Sequence, residues 1–281
     1  MTRQLIVNAD DFGRTRGVSA GILRAHLEGI VTSTTAMMNM PGVAADLHQA
    51  KSEAPRLGLG VHLNFTAGRP LLPPEWCASL VDERGHFLTQ EAIAAAPDRV
   101  KPDELREELK SQITTFRNAL GTLPDHLDAH HFIHVYPLFF EVYLDLADSF
   151  KLPARIPFPR QAAALDHMPP IIENVPPETA KSIVQADQQQ LAARAIKTTD
   201  HFVATFYNKT VSVPFLLEIL ASLPQGRSEL MTHPGLLDDQ LRAESRYNVQ
   251  REDELAVLTN SQVIEYLDRL DIQLITFADL S

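Results

Sequence analysis

Apolar and polar positions along the chain fall into two alternating patterns. Short runs of β-forming residues, such as "LIV" at 5–7, "LGLGVHLNF" at 57–65 and "IQLITF" at 272–277, are separated by stretches whose apolar residues recur at helical spacing. Residues 16–28 place Val18, Ile22 and Ala25 on one helical face, with Gly29 as a stop. Leu105, Leu109, Ile113, Phe116 and Leu120 mark an amphipathic helix closed by Gly121, and Pro137 is placed to open another. "VTSTTAMMNM" (31–40, ended by Pro41-Gly42), "DHLDAHHFIH" (125–134), "LPARIPF" (152–158), "HFVATF" (201–206) and "SELMTHPG" (228–235) bring the strand candidates to about eight. Strands alternating with helices predict βα units, a mainly parallel sheet and a single barrel-like α/β domain spanning 1–281. An open doubly wound sheet is the alternative.

Two stretches break the rhythm. Residues 66–100 carry Pro70, Pro73 and Pro74 with little periodicity, and read as a long loop over one face. Pro159, Pro169, Pro170, Pro176 and Pro177 suggest an inserted excursion around 159–200.

Composition narrows the partners. Lys+Arg of 25 against Asp+Glu of 36 gives a formal charge of −11, so there is no basic surplus to neutralise nucleic-acid phosphates or anionic lipid. No run of about 18 apolar residues is present, so no membrane insertion is expected. The N-terminus "MTRQLIVNADD" has too short an apolar run for a signal peptide. The one cysteine, Cys77, admits neither an internal disulfide nor a cysteine-rich zinc site. Together these features favour a cytoplasmic location. The oligomeric state, a homodimer included, is left open by the surface pattern.

The polar residues that interrupt the strands carry the chemistry. In parallel α/β folds functional groups gather at the carboxyl ends of strands. Asp10 and Asp11 follow the first strand, His62 and Asn64 end the third, and His233 ends a late one. His126, Asp128, His130, His131 and His134 crowd the fourth, where a buried strand should be nearly continuous Val, Ile and Leu. Alternation would put His126, Asp128 and His130 on one face. Burying such groups is costly unless they bind something. An aspartate with two imidazoles is a three-ligand set that leaves positions open on a divalent metal ion. A cation would also offset the repulsion between Asp10 and Asp11, one binding it and the other acting as a base. A histidine across the site, with His233 as the candidate, could protonate a leaving group.

"NADDFG" (8–13), "GIVTSTTAMMN" (29–39), "GVHLN" (60–64), "HLDAHHFIHVYP" (126–137) and "MTHPG" (231–235) resemble, in order and over nearly the whole chain, the YdjC-like carbohydrate deacetylases. That family includes the chitin-disaccharide deacetylases. The resemblance implies a distorted (β/α) TIM-like barrel related to polysaccharide deacetylases, and hydrolysis of an N-acetyl group from an amino sugar or short chitooligosaccharide with release of acetate. It implies Asp11, His62 and His130 as metal ligands, Asp10 as general base, and His233 as the group that assists departure of the amine. Magnesium or zinc is the cofactor it implies, and two imidazoles with one carboxylate fit zinc or a similar transition ion better. Asp128, His134 and Arg155 are expected beside the metal ligands or the substrate, with a surface salt bridge as the alternative for Arg155. Where relatives often read three consecutive histidines, this chain has His130-His131-Phe132.

Other classes fit less well. A phosphatase with an aspartate nucleophile would need no histidine clusters, and a metal-dependent oxygenase using "HLD" at 126–128 would be expected on an all-β core. A non-catalytic metal- or sugar-binding protein on the same scaffold predicts a lost base or acid, yet Asp10 and His233 are both present. An acetylated glycolipid headgroup is an alternative substrate.

Overall fold

A computed structural model describes residues 2–158 and 177–280. In chain order its strands and helices begin with β1 (Arg3–Phe12), α1 (Arg16–Leu27), β2 (Ser33–Ala36), α2 (Val43–Glu53), β3 (Gly58–Leu63), α3 (Gln90–Ala95), α4 (Pro102–Leu120), β4 (Leu127–Ala129) and α5 (Pro137–Phe150). They continue with α6 (Pro177–Ala192), β5 (His201–Val203), α7 (Val213–Ser222), β6 (Gly226–Thr232), α8 (Asp239–Glu244), α9 (Gln250–Leu258), α10 (Ser261–Arg269) and β7 (Ile272–Leu274). Seven of the eight expected strands form among the described residues, and the eighth is reduced to a single bridge between Leu127 and Ala154. The strand expected over 31–40 shortens to β2. The expected loop at 66–100 contains α3 and several 3-10 turns. Within the expected excursion, 159–176 lie outside the described residues, and 177–192 are helical.

The chain packs as two compact units. The first comprises Met1–Ala36, Pro41–Gly60 and Thr199–Ser281, and the second Met37–Met40 and Val61–Thr198. In the first, β1 is the organising strand. Leu5, Ile6 and Val7 have no exposed surface, as a strand covered on both faces requires. β1 pairs in parallel with β6 from Arg3↔Gly226 to Ala9↔Thr232, with β7 over Arg3–Leu5, and with β2 further along. β5 extends the sheet beyond β6, again in parallel.

The β1–β2 register slips once. Ala9 pairs with Thr34 and Phe12 with Ala36, so one residue more is used on β1 than on β2. Asp11 absorbs the bulge in the left-handed region, at φ 72°. Beside it, α1 starts at an N-cap in which Thr15 accepts the Val18 N–H, and buries Val18, Ile22 and Ala25. Its glycines serve contact as well. A Cβ on Gly21 would lie 2.4 Å from the Gly235 Cα, and the Gly17 carbonyl accepts the Leu236 N–H at 2.9 Å. These contacts seat the segment that follows β6.

In the second unit β3 and β4 pair in parallel, with His62 opposite Asp128 and Leu63 opposite Ala129. α4 starts at Pro102 and ends at Gly121 with φ 73°, as its spacing predicts. Its apolar stripe also carries Glu108 and Gln112, both without exposed surface. Glu108 accepts the N–H groups of Leu71 and Leu72, at 3.1 and 2.9 Å, and a bond from Gln112. Gln112 exchanges hydrogen bonds with the Asn64 backbone N–H and carbonyl, at 2.9 and 2.6 Å. The two buried polar side chains thus fix the chain where it leaves β3.

The contact at Gly21 gives a direct test. Gly21→Ala forces a methyl into the backbone at Gly235 and is expected to cost about 1–3 kcal/mol, read as a lower urea midpoint with an unchanged slope.

Candidate active site

Each unit holds part of the predicted residue set. In the first, the bulge at the end of β1 changes how two adjacent buried carboxylates are directed. Strict alternation would send Asp10 and Asp11 to opposite faces, but the left-handed turn at Asp11 breaks it. Asp10 Oδ1 accepts a bond from Asn8 Nδ2 at 2.9 Å. Asp11 Oδ2 accepts one from Arg251 Nη2 at 2.5 Å, with both side chains buried. Arg251 is itself held by the Tyr247 carbonyl at 3.1 Å.

His233 follows β6. Its Nε2 lies 3.9 Å from Asp10 Oδ2 and its Nδ1 3.9 Å from Glu254 Oε1, so a carboxylate faces each ring nitrogen. Glu254 also accepts the His233 backbone N–H and the Tyr247 hydroxyl. Burial pushes the Glu254 carboxyl up to about 7, against the hydrogen bonds from His233 and Tyr247 and the nearby Arg251 charge, which lower it.

In the second unit the register of β3 on β4 creates the chemistry. His62 Nδ1 meets Asp128 Oδ1 at 2.7 Å, and the other carboxylate oxygen meets Arg155 Nη1 at 3.0 Å. Burial alone would raise the Asp128 carboxyl, but His62 and Arg155 outweigh it and hold it well below the usual carboxylate range. With Nδ1 committed, His62 Nε2 lies 3.2 Å from His130 Nδ1. His130 stacks on His131 at 3.8 Å, and His131 contacts Thr66 Oγ1 at 3.0 Å. His131 and Phe132 both adopt positive φ, at 57° and 51°.

The structure therefore brings His62, Asp128, His130 and Arg155 into one buried line. Arg155 has no exposed surface, which removes the surface salt bridge as an account of it. His126, expected on their face, pairs with Asp125 at 2.5 Å. The His134 ring nitrogens make no hydrogen bond among the described residues, and the ring packs on Tyr143 at 4.6 Å. Burial holds its imidazole down at about 3, so it stays neutral. Asn64 shapes its own turn by accepting the N–H groups of Thr66 and Ala67, at 3.0 and 3.1 Å.

Sequence reasoning missed Arg251, Glu254, Tyr207 and Tyr247. A signal existed for the first two. Arg251, Glu254, Leu255 and Leu258 stand at i, i+3, i+4 and i+7, the spacing of one buried helical face, although "QREDEL" looks solvated.

Known proteins are similar over the full length. The model of the YdjC-like protein family matches residues 4–269. The carbohydrate deacetylase of Thermoanaerobacter pseudethanolicus is 34% identical, with 99% of each chain covered. The chitooligosaccharide deacetylase of Proteus mirabilis is also 34% identical, with 100% of each covered. A crystal structure from Enterococcus faecalis V583, provisionally described as a cellobiose-phosphate cleavage protein, is 32% identical and superposes with a TM-score of 0.85 over 100% of both chains. The Xyl-CE4 domain of a multidomain xylanase from the hindgut metagenome of Trinervitermes trinervoides, at 8% identity and a TM-score of 0.51, shares the fold over 100% of this chain and 90% of its own. The fold class is thus α/β with a parallel sheet, the distorted (β/α) barrel class, as expected. Among the described residues, no helix is long and apolar enough to cross a membrane.

Two outcomes follow from the charges. Arg155→Met strips Asp128 of its buried cation and is expected to cost about 3–5 kcal/mol in urea unfolding, partly recovered when Asp128→Asn is added. Glu254 holds its proton up to about pH 7 when folded, whereas its ordinary value is 4.5. Its contribution to stability is therefore complete below pH 4.5 and is lost as pH rises through 7. Glu254→Gln should remove that loss. The variant gains on the wild type by an amount on the order of 3 kcal/mol between those limits, measured as unfolding free energy against pH.

Proposed function

Because the chain belongs to the YdjC-like protein family, we propose that it removes the N-acetyl group from an N-acetylated amino sugar or short chitooligosaccharide, releasing acetate, with one divalent metal ion as cofactor. The observation that carries this reading is the His62–His130 pair. Their facing nitrogens lie 3.2 Å apart. Two ligands at about 2.0–2.1 Å from a common ion are separated by roughly that distance. Asp128 holds the far nitrogen of His62, as a carboxylate behind a metal-binding histidine does, and Arg155 fixes Asp128 in turn. The donor set therefore fits a metal ion. We assign Asp11 as the carboxylate ligand. Imidazoles favour zinc or a similar transition ion over magnesium.

When bound, the ion would polarise the acetamide carbonyl and acidify a water. The remaining steps belong to the chain. Asp10, steadied by Asn8, takes the proton of the attacking water. A carbon–oxygen bond forms to the acetyl carbon and the carbon–nitrogen bond breaks. His233 gives its proton to the departing amine nitrogen, which stays on the sugar. Glu254 orients His233 through its backbone N–H and faces Nδ1. Arg251 would hold the Asp11 carboxylate in place through its hydrogen bond to Oδ2.

Freshly purified protein is expected to carry about one equivalent of metal and to release acetate from diacetylchitobiose until a chelator is added. Asp10→Asn should keep the metal, yet lose turnover by about 10²–10⁴-fold. Turnover that survives this substitution would remove Asp10 as the base, and a protein without metal after reconstitution would sink the proposal.

A further inference from the structure

We propose that Tyr207, braced face to face on Tyr247, is the platform on which the sugar ring bearing the leaving amine docks, and that it sets the preference for pyranose substrates. The inference rests on the deacetylase reading and takes it to the side of the substrate that reading leaves unassigned. All the residues involved belong to the first unit.

The chemistry locates the sugar. In amide hydrolysis the acetyl carbon goes with the attacking oxygen, and the nitrogen keeps its bond to the sugar. The group that protonates the nitrogen must therefore lie beside the sugar ring. His233 is that group, and two aromatic rings flank it edge-on. Tyr207 lies 5.5 Å away at 67°, and Tyr247 lies 5.8 Å away at 69°. A pyranose with equatorial substituents presents axial C–H groups on its faces. Such a face packs on an aromatic ring, the surface that polar side chains cannot offer.

Tyr207 is built for this. The residue is 41% exposed, while Phe206 beside it has no exposed surface and anchors the turn. The Tyr207 N–H donates to Thr210 Oγ1 at 3.0 Å, which closes a capping box. The ring stacks on Tyr247 at 4.3 Å and 11°. The Tyr247 hydroxyl accepts the Asn208 N–H at 3.1 Å and donates to Glu254, the carboxyl that also holds His233. One face of Tyr207 is thus used for bracing, and the ring is fixed before any ligand arrives. A rigid aromatic of this kind binds at low entropic cost. Nothing in the hydrolytic steps uses Tyr207, so an exposed ring held this firmly beside the proton donor calls for a role in binding.

The test compares Tyr207→Ala, Tyr207→Phe and Tyr207→Trp on diacetylchitobiose. The alanine variant should raise KM by about tenfold or more with a much smaller change in kcat, and phenylalanine and tryptophan should restore KM. A fall in kcat at unchanged KM, or a KM that phenylalanine does not restore, overturns the platform. A turnover-free measurement runs beside it. Diacetylchitobiose is titrated into metal-loaded Asp10→Asn protein, with and without Tyr207→Ala, and at least a tenfold weaker Kd is expected in the double variant. Equal Kd values overturn the inference. Acetate release by the wild type with KM unmoved in Tyr207→Ala would remove the platform and leave the reaction. Sugar binding lost on Tyr207→Ala in a protein that releases no acetate would remove the reaction and leave the platform. Neither release nor binding would remove both.

Discussion

Asp128 has no contact with water, and each of its oxygens is spoken for, one by the His62 imidazole and the other by the Arg155 guanidinium. A buried carboxylate of this kind cannot be moved or neutralised cheaply, because either change strands a cation in a low-dielectric interior. Much of the second unit's chemistry follows. The carboxylate settles which nitrogen of His62 is engaged, and so which one faces His130. It draws Arg155 inward from the chain that follows α5, where the Tyr143 hydroxyl ties the carbonyls of Leu127 and Arg155 together. The strand register His62↔Asp128 is the backbone expression of the same pair.

The first unit reaches a comparable end by distorting the backbone. An extra residue in β1 resets the directions of two neighbouring buried carboxylates, and α9 supplies the groups that hold Asp11 and His233. Arg251 takes Asp11, and Glu254 takes His233. Both come from one face of one helix, so their spacing is fixed by helical geometry rather than by loop packing. Close glycine contacts between α1 and the segment after β6 serve the same purpose, since they set where His233 can stand.

The sequence was legible where pattern and packing agree. "LIV" announced β1, the stripe from Leu105 to Leu120 announced α4, and the histidines interrupting "HLDAHH" announced a site, because a buried strand tolerates them only for a purpose. Other features depended on partners far away in the chain. The bulge at Asp11 exists only in the register with β2. Arg251 and Glu254, like Glu108 and Gln112 on α4, are polar residues lodged in apolar stripes, and composition hides them among solvated neighbours. Such a residue declares itself by position: at i+3 or i+4 from buried leucines it faces the core, whatever its charge. The stacked pair Tyr207 and Tyr247 joins two loops with no periodic signal, so only the folded chain could reveal it.

The division of the chain has a consequence for biogenesis. Apart from Met37–Met40, the second unit is one continuous stretch ending at Thr198, whereas the first must wait for the C-terminal residues. β1 is made before the second unit, yet Arg3 finds Gly226 on β6 only after that unit has been synthesised. His62, Asp128, His130 and Arg155 can therefore assemble while Asp10 and Asp11 sit on a strand that has β2 beside it but still lacks β6 and β7. Pairing across so long a separation is slow, and a strand edge that waits for its partner is open to misassociation meanwhile. The strand made before the second unit thus completes its set of partners after it.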